Sequence, residues 1–550
     1  MNDEMPRLAQ ARRGNSVIWR GKALLSSIDP IDRAERIVRE VPVLKRTLYF
    51  CPSPLLGYGL DLLLDRIGED SAVLCVETER ALMDLTRSNY SPASTFASRL
   101  RLSVSSDPRE ICAFVRAEFG ARTFRRLVVV RLNAGWIIDA ERYAALENAL
   151  RADIAVDWSN AMTLMKLGRR YALNAARNLG LLPHSVPLGR LGAETVLVAG
   201  AGPSLDSFLD GRRFPLPGPE ISIRVVCVDT ALRPLLDRGI VPDLVVALEA
   251  QHWNLRDFIG SSVRACPLAM DLSALPSTAE ACGGPVSFFF SRWTLLRFFD
   301  RLDAAGLLPP EIPPLGSVGL AAVELALTLG TGKVLVAGLD FSYTADAYHA
   351  RSAPSREERL RRATRLSSLI DPGPAFRSGV AALRSKDGGT VRSDPALRSY
   401  RDLFEREYSN IGRLRDVSAG GLALGISRSD FTEEADPASG RGETGNGIPP
   451  EAWVPPSTSE VRIFIEGELE RLRSLRSALT GTSAGTKIDV ESLVDECDYL
   501  WAHFPECAAA EGRRPPLSDE SFMKRVRIQI EPFIDAFTVG LAEAEQSPKG

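Results

Sequence analysis

The run Val196-Leu197-Val198-Ala199-Gly200-Ala201-Gly202-Pro203-Ser204-Leu205-Asp206 constrains the fold of this chain more than any other stretch. Apolar residues suited to a strand run straight into two glycines, then a proline and a serine. Glycine lacks a Cβ, so the backbone turns tightly there and lets a ligand come close. Pro203 suits the first turn of a helix, where no N–H is needed. Such a strand–loop–helix unit puts backbone N–H groups at the carboxyl end of a sheet, where phosphate is favoured. Gly200, Gly202, Pro203 and Ser204 are therefore candidate nucleotide-binding residues, and a tight turn without a ligand is the competing reading.

The pattern continues downstream. Val-, Leu- and Phe-rich runs at 195–199, 225–229, 244–249, 286–290 and 334–340 alternate with segments of helical period. Continuous apolar strands separated by helices predict an α/β domain, a doubly wound, mostly parallel, Rossmann-like sheet covered on both faces. Its expected extent is 158–426. Upstream, apolar runs at 47–51, 72–77 and 127–132, a turn with Gly57 and Gly59, and Glu77 at a strand end predict a smaller Rossmann-like domain over 1–153. It reads as structural, since the glycine spacing of a dinucleotide loop is incomplete. Residues 427–456 are poor in large apolar side chains and predict a flexible linker, and 457–550 carry the amphipathic pattern of a C-terminal helical region.

A chain of 550 residues exceeds one ordinary core, in agreement with several domains. The formal net charge of −3, with basic residues spread throughout, offers no footprint for nucleic acid. No stretch approaches the roughly 18 apolar residues of a membrane span, and the first twenty residues lack a signal-peptide core, so a cytoplasmic protein with no membrane insertion is expected. The 8 cysteines form no Cys-x-x-Cys pair and the 4 histidines no ligand spacing, so no metal site is expected from them.

Further candidates lie at the ends of later strands. Asp229 closes 225–229, where a carboxylate can take a ribose or base hydrogen bond, and Glu249 closes 244–249. Gly316 and Ser317 precede an almost wholly apolar helix, with Ser317 as its capping hydroxyl. Asp340 and Tyr343 follow the last strand, and His349 comes shortly after. The arginine-rich stretch 352–365 is expected to be a mobile helical arm or lid over the site, with a solvated helix face as the competing reading.

Together these blocks resemble the central domain of the motility accessory factor (Maf) flagellin glycosyltransferases. The resemblance rests on Gly200-Ala201-Gly202-Pro203-Ser204-Leu205, Gly239-Ile240-Val241-Pro242-Asp243, Gly316-Ser317-Val318 and Gly338-Leu339-Asp340-Phe341-Ser342-Tyr343-Thr344 with His349 beyond. It spans roughly 16–426. Asp416-Val417-Ser418-Ala419-Gly420-Gly421 is similar to the family's closing Asn-x-Thr-Glu-Gly-Gly element without its Asn, Thr and Glu. Bacterial sialyltransferases carry a similar glycine loop, with Asn where this chain has Ala201. The resemblance implies transfer of a nonulosonic acid, of pseudaminic or legionaminic type, from its CMP ester to a Ser or Thr of flagellin. His349, Asp340 and Tyr343 would then be the catalytic group, with His349 as base because imidazole titrates near neutral pH. The donor would be held by Gly200, Gly202, Pro203, Ser204, Asp229, Glu249, Gly316 and Ser317, and no cofactor is required. The same glycine loop also resembles archaeal 6-hydroxymethyldihydropterin pyrophosphokinase of the MptE-like type. That alternative implies ATP and Mg²⁺ on Asp229, Glu249 and Asp340; a non-catalytic nucleotide-binding relative is a third reading.

Overall fold

A computed structural model of the chain describes residues 5–119, 124–192, 194–211, 223–345, 347–366, 378–431, 453–480, 489–508 and 513–546. Two compact units emerge, one from residues 1–166 with 501–519 and the other from 167–500 with 520–550. The expected boundary near 153 falls inside the continuous helix Ala140–Asn178. Of the expected linker 427–456, residues 432–452 lie outside the described residues. Among the described residues no helix is long and apolar enough to cross a membrane.

The first unit contains the antiparallel strands β1 (Arg7–Gln10), β2 (Asn15–Trp19) and β3 (Lys22–Ala23). Strands β4 (Thr47–Pro52), β5 (Ala72–Glu77), β6 (Leu100–Val104) and β7 (Arg126–Val129) form a parallel sheet in the order β6-β5-β4-β7. Every residue of β4 and β5 is buried, as their unbroken apolar sequences require. Glu77 ends β5 buried, and its carboxylate accepts from Leu55 N (3.1 Å), Ser53 Oγ (3.3 Å) and Tyr143 Oη (3.2 Å). Gly57 takes a positive φ of 71°, and a Cβ there would stand 2.4 Å from the Tyr90 ring. That glycine serves the packing of the loop.

The second unit is built on a parallel sheet of β8 (Thr195–Ala199), β9 (Ile223–Val228), β10 (Leu244–Ala247), β11 (Cys266–Asp271), β12 (Gly283–Ser291), β13 (Glu311–Ile312), β14 (Val334–Ala337) and β17 (Leu414–Asp416). Its order is β13-β12-β11-β10-β9-β8-β14-β17, and a hairpin of β15 (Ala381–Arg384) and β16 (Thr390–Ser393) stands apart from it. The predicted 195–199 strand is found as β8, and β9, β10, β12 and β14 overlap the other predicted runs. The run ending in Asp229 stops one residue short, because Asp229 opens the helix Asp229–Leu236. Strands β11, β13 and β17 went unread; β13 and β17 are too short to show a period.

From β8 the chain winds out through β9 to β13 on one side, then returns to place β14 on the other side of β8. This reversal between β8 and β14 brings together the loops at their carboxyl ends, the place where open α/β sheets hold ligands. Asn174 and Asn178 anchor the preceding helix beside the loops after β10 and β11, donating to the carbonyls of Ala250, Ser273, Leu272 and Ala274 at 2.7–3.1 Å. The C-terminal helices Thr458–Thr480 and Glu520–Glu545 belong to this unit. They are tied to the helix Arg297–Ala304 by the ion pair of Arg301 with fully buried Glu468 (2.8 Å) and by rings of Phe298, Tyr499 and Phe537.

Candidate functional site

The loop after β8 meets the loop after β14 at the reversal. Gly200 N donates to Ala337 O and Gly202 N to Gly338 O, both at 2.8 Å. A Cβ on Gly200 would stand 2.5 Å from Gly338 O, and one on Gly202 would stand 2.6 Å from Asp340 Cγ. The two glycines are thus required by the packing of one loop on the other. This corrects the expectation that they keep the backbone open for a ligand: their Cα faces are already covered by residues 338–340.

Ser204 begins the helix Ser204–Asp210 with Pro203 just before it. Its N–H donates to Asp340 Oδ2 (2.7 Å) and its hydroxyl to Asp340 Oδ1. The N–H expected to be free for phosphate is therefore satisfied by a carboxylate of the chain itself. Asp340 is 4% exposed, and burial raises its pKa, while the Ser204 bonds and the Lys386 charge lower it and Asp416 raises it. Gly421, at φ 89°, packs over the other side of Asp340, and Leu422 N donates to Asp340 O at 2.9 Å. Leu339 wedges between Gly200 and Gly319, joining this loop to the start of the helix Val318–Leu329.

His349 reaches the same loop through its neighbour, since Ala350 N donates to Ala201 O at 2.9 Å. Asp206 holds the following residues, accepting from Arg351 N (2.9 Å) and pairing with Arg356 (3.3 Å) and Arg238 (2.8 Å). The expected helical arm is the helix Pro354–Arg362. The half-buried imidazole shares a hydrogen bond with Ser355 Oγ through Nδ1 (2.8 Å). Burial, reinforced by the charges of Arg256 and Arg359, pushes its pKa down to about 4. His349 is therefore neutral at neutral pH and does not titrate there as expected. Tyr343 is buried with its ring 4.8 Å from that of Tyr348, which in turn lies 4.9 Å from the His349 ring.

Asp229 and Glu249 lie beyond β9 and β10, and Gly316 and Ser317 follow β13. Thr230 Oγ1 lies 3.2 Å from both Asp229 Oδ1 and Asp257 Oδ2. Burial lifts Asp229 to about 6, with the Glu249 charge adding to it, and burial with the Asp229 charge lifts Asp257 to about 7. Glu249 is half-buried and accepts from Gln251 N at 3.1 Å. Its charge adds to the burial that raises Tyr171 and Tyr400. Gly316 is exposed at φ 67°, and a Cβ there would stand 3.5 Å from the Tyr400 ring. Ser317 occupies the N-cap position, but its hydroxyl makes no capping bond, which corrects that expectation. Asp229 and Glu249 thus stand apart from the Gly200–Ser204 loop, while Ser317 opens the helix whose start touches Leu339.

Sequence reading missed Asp257 and Lys386. Lys386 sits in the turn between β15 and β16, and Lys386 Nζ donates to Asp416 Oδ2 (2.6 Å) and Ser418 Oγ (3.0 Å). The Asp387-Gly388-Gly389 turn signal that builds this hairpin was available in the sequence. Nothing local announced that it would dock on 416–421.

Residues 170–346 match the family described as 6-hydroxymethylpterin diphosphokinase MptE-like. An uncharacterized protein of Treponema pallidum (strain Nichols) is 30% identical over 558 residues, covering 96% of this chain and 94% of the relative. The chain belongs to the MptE-like family. A second uncharacterized protein of that organism is 31% identical over 203 residues, 36% of this chain and 42% of its own. The fold is also that of a MAf glycosyltransferase from Magnetospirillum magneticum AMB-1, with a TM-score of 0.53 and 14% identity over 100% of this chain and 94% of the other. The MptE-like match includes Gly200–Ser204 and Asp340 but ends before His349, Lys386 and Asp416.

Proposed function

We propose that this protein is a glycosyltransferase that moves a nonulosonic acid, of pseudaminic or legionaminic type, from its CMP ester to a Ser or Thr hydroxyl of flagellin. The observation that carries the reading is the meeting of the loops after β8 and β14 at the sheet reversal, where Asp340 holds Ser204 and Ala350, next to His349, holds Ala201, in a fold shared with a MAf glycosyltransferase. Gly200, Gly202, Pro203 and Ser204 shape the donor side, with Asp229 and Glu249 beyond β9 and β10 and Gly316 and Ser317 at the start of the helix Val318–Leu329. In the reaction the acceptor oxygen bonds to the anomeric carbon, and the bond to the donor phosphate breaks with its electron pair leaving on CMP. The acceptor proton passes to His349 Nε2, which is unprotonated at neutral pH because of burial and the nearby arginines. CMP departs with one phosphate, so the reaction needs no cofactor.

The pyrophosphokinase alternative requires Mg²⁺ on carboxylates. Asp340 commits both oxygens to Ser204, Asp229 is held by Thr230, and among the described residues no three His, Cys, Asp or Glu side chains are grouped to hold a metal ion. An ion on Asp340 or Asp229 would compete with those hydrogen bonds. Calorimetric titration separates the readings. Binding of CMP without Mg²⁺, followed by sugar transfer to recombinant flagellin, supports the transferase; binding of ATP only with Mg²⁺ and no response to CMP would refute it.

A further inference from the structure

Behind the Gly200–Ser204 loop lies a buried charged group that the proposed reaction does not use. The Lys386 and Asp416 side chains are each 1% exposed and pair at 2.6 Å. Ser418 Oγ lies 3.0 Å from Lys386 Nζ and 2.9 Å from Asp416 Oδ1. The hairpin turn is locked in place, with Lys386 N and Ser385 Oγ both donating to Gly421 O, at 2.9 and 3.1 Å. Gly421 in turn packs on Asp340. Asp340 thus faces Ser204 from its helix, Lys386 from the hairpin, and Asp416 from the end of β17. At the rim of the hairpin turn Asp387 is exposed, and Arg428 donates to Lys386 O at 3.3 Å.

Of the two buried carboxylates, Asp416 pairs directly with the Lys386 ammonium, whose charge also acts on Asp340. A buried ion is tolerated only when paired and hydrogen-bonded, and removing one partner strands the rest. Asp416 has Lys386 and Ser418 as direct partners, and Asp340 has the two Ser204 donors. The ammonium charge offsets the repulsion between the two carboxylates.

We infer that Lys386 is a positioning residue for the donor site: its buried ammonium, held by Asp416 and Ser418, keeps Asp340 in the charged form that accepts both donors of Ser204 and so holds the Gly200–Ser204 loop in shape. Without Lys386, two like charges face each other and Asp340 takes up a proton at higher pH. A protonated Asp340 accepts less well, and the loop loosens.

The inference rests on the donor reading, and the test keeps the two apart. CMP affinity of the full chain is measured by calorimetry between about pH 6 and about pH 9, and each variant is read as its ratio to wild type at the same pH. Lys386→Met should bind about tenfold more weakly at the acid end than at the alkaline end, the effect of about one unit in a carboxyl pKa. Lys386→Arg should restore wild-type behaviour, and the double variant Lys386→Met/Asp416→Asn should recover most of the loss by removing the second carboxylate. A Lys386→Met chain that binds like wild type throughout overturns the inference. A chain weakened equally at every pH also overturns it, since that marks a packing role.

If wild type binds no CMP, the donor reading fails, and melting temperature decides the inference. The deficit of Lys386→Met against wild type should then grow as pH rises, because an unpaired buried carboxylate costs more once charged. A deficit independent of pH would overturn the inference. Should Lys386→Met not fold, Asp416→Asn carries the test: with Lys386 left to Asp340 alone, its pH dependence should be no steeper than that of wild type. A steeper one would count against the idea.

Discussion

The Asp340 carboxylate accepts the Ser204 N–H through Oδ2 at 2.7 Å and the Ser204 hydroxyl through Oδ1, joining the loops after β14 and β8 across the sheet reversal. Asp340→Ala would leave two buried donors unsatisfied, at about 1–3 kcal/mol each by the usual cost of such groups. A loss of about 2–4 kcal/mol is expected, because removing a buried carboxylate returns part of its desolvation cost. Asp340→Asn, which keeps one acceptor, should lose about half as much. Urea denaturation monitored by circular dichroism gives both values, and equal stability of the alanine variant and wild type would contradict the pinning role.

Gly202→Ala should damage fold and ligand binding together. Its Cβ would come within 2.6 Å of Asp340 Cγ and 2.7 Å of Gly338 O, so one loop must shift. Overpacking of this kind costs about 1–3 kcal/mol. Melting temperature and CMP affinity should fall in the same variant, whereas a loss of affinity at unchanged stability would return Gly202 to direct ligand contact.

His349→Ala should lower turnover by about 10² to 10⁴ with little change in donor affinity, as for a base that acts on the acceptor proton. Its titration offers an independent check. Free protein should show a His349 midpoint near 4, depressed by burial, Arg256 and Arg359. Bound CMP brings negative charge near those arginines, so the midpoint should rise by about one unit or more. NMR of isotope-labelled histidine reads this, and an unchanged midpoint would place the phosphate elsewhere.

Glu77 ties the first unit to pH. Burial raises its carboxyl to about 7, and the bonds from Leu55, Ser53 and Tyr143 only partly oppose this. An acid whose folded pKa lies above its unfolded value favours folding while protonated, and that contribution is lost as pH rises through the folded pKa. Glu77 should therefore reduce stability between about pH 5 and about pH 8, by up to about 3 kcal/mol. Glu77→Gln should flatten the decline; an equally steep pH dependence in the variant would assign it to other groups.

Local signals were legible wherever the physics is local. The apolar run 195–199 entering Gly200 and Gly202 reads as a strand and turn because period and glycine freedom act between neighbours. The same holds for the alternation of strand and helix that identified the parallel sheets, and for Asp340, Tyr343 and His349 as residues beyond a strand's carboxyl end. Roles were harder. Gly200 and Gly202 have the residue type and position expected of them, yet their Cα faces pack on residues 338–340.

The sequence by itself determined the α/β class, the position of the central glycine loop and the residues that stand at strand ends, because each depends on a few adjacent residues. Tertiary structure alone decided which strand ends meet. Ser204 and Asp340 are 136 residues apart, and only the return of β14 beside β8 makes them partners. Lys386 and Asp416, 30 residues apart, are each ordinary in a surface turn and a strand end. They become a buried pair only when the hairpin docks, since burial and charge are set by everything packed around a side chain. The same applies to His349, whose loss of basicity comes from burial and from Arg256 and Arg359, groups that no spacing in the sequence connects to it.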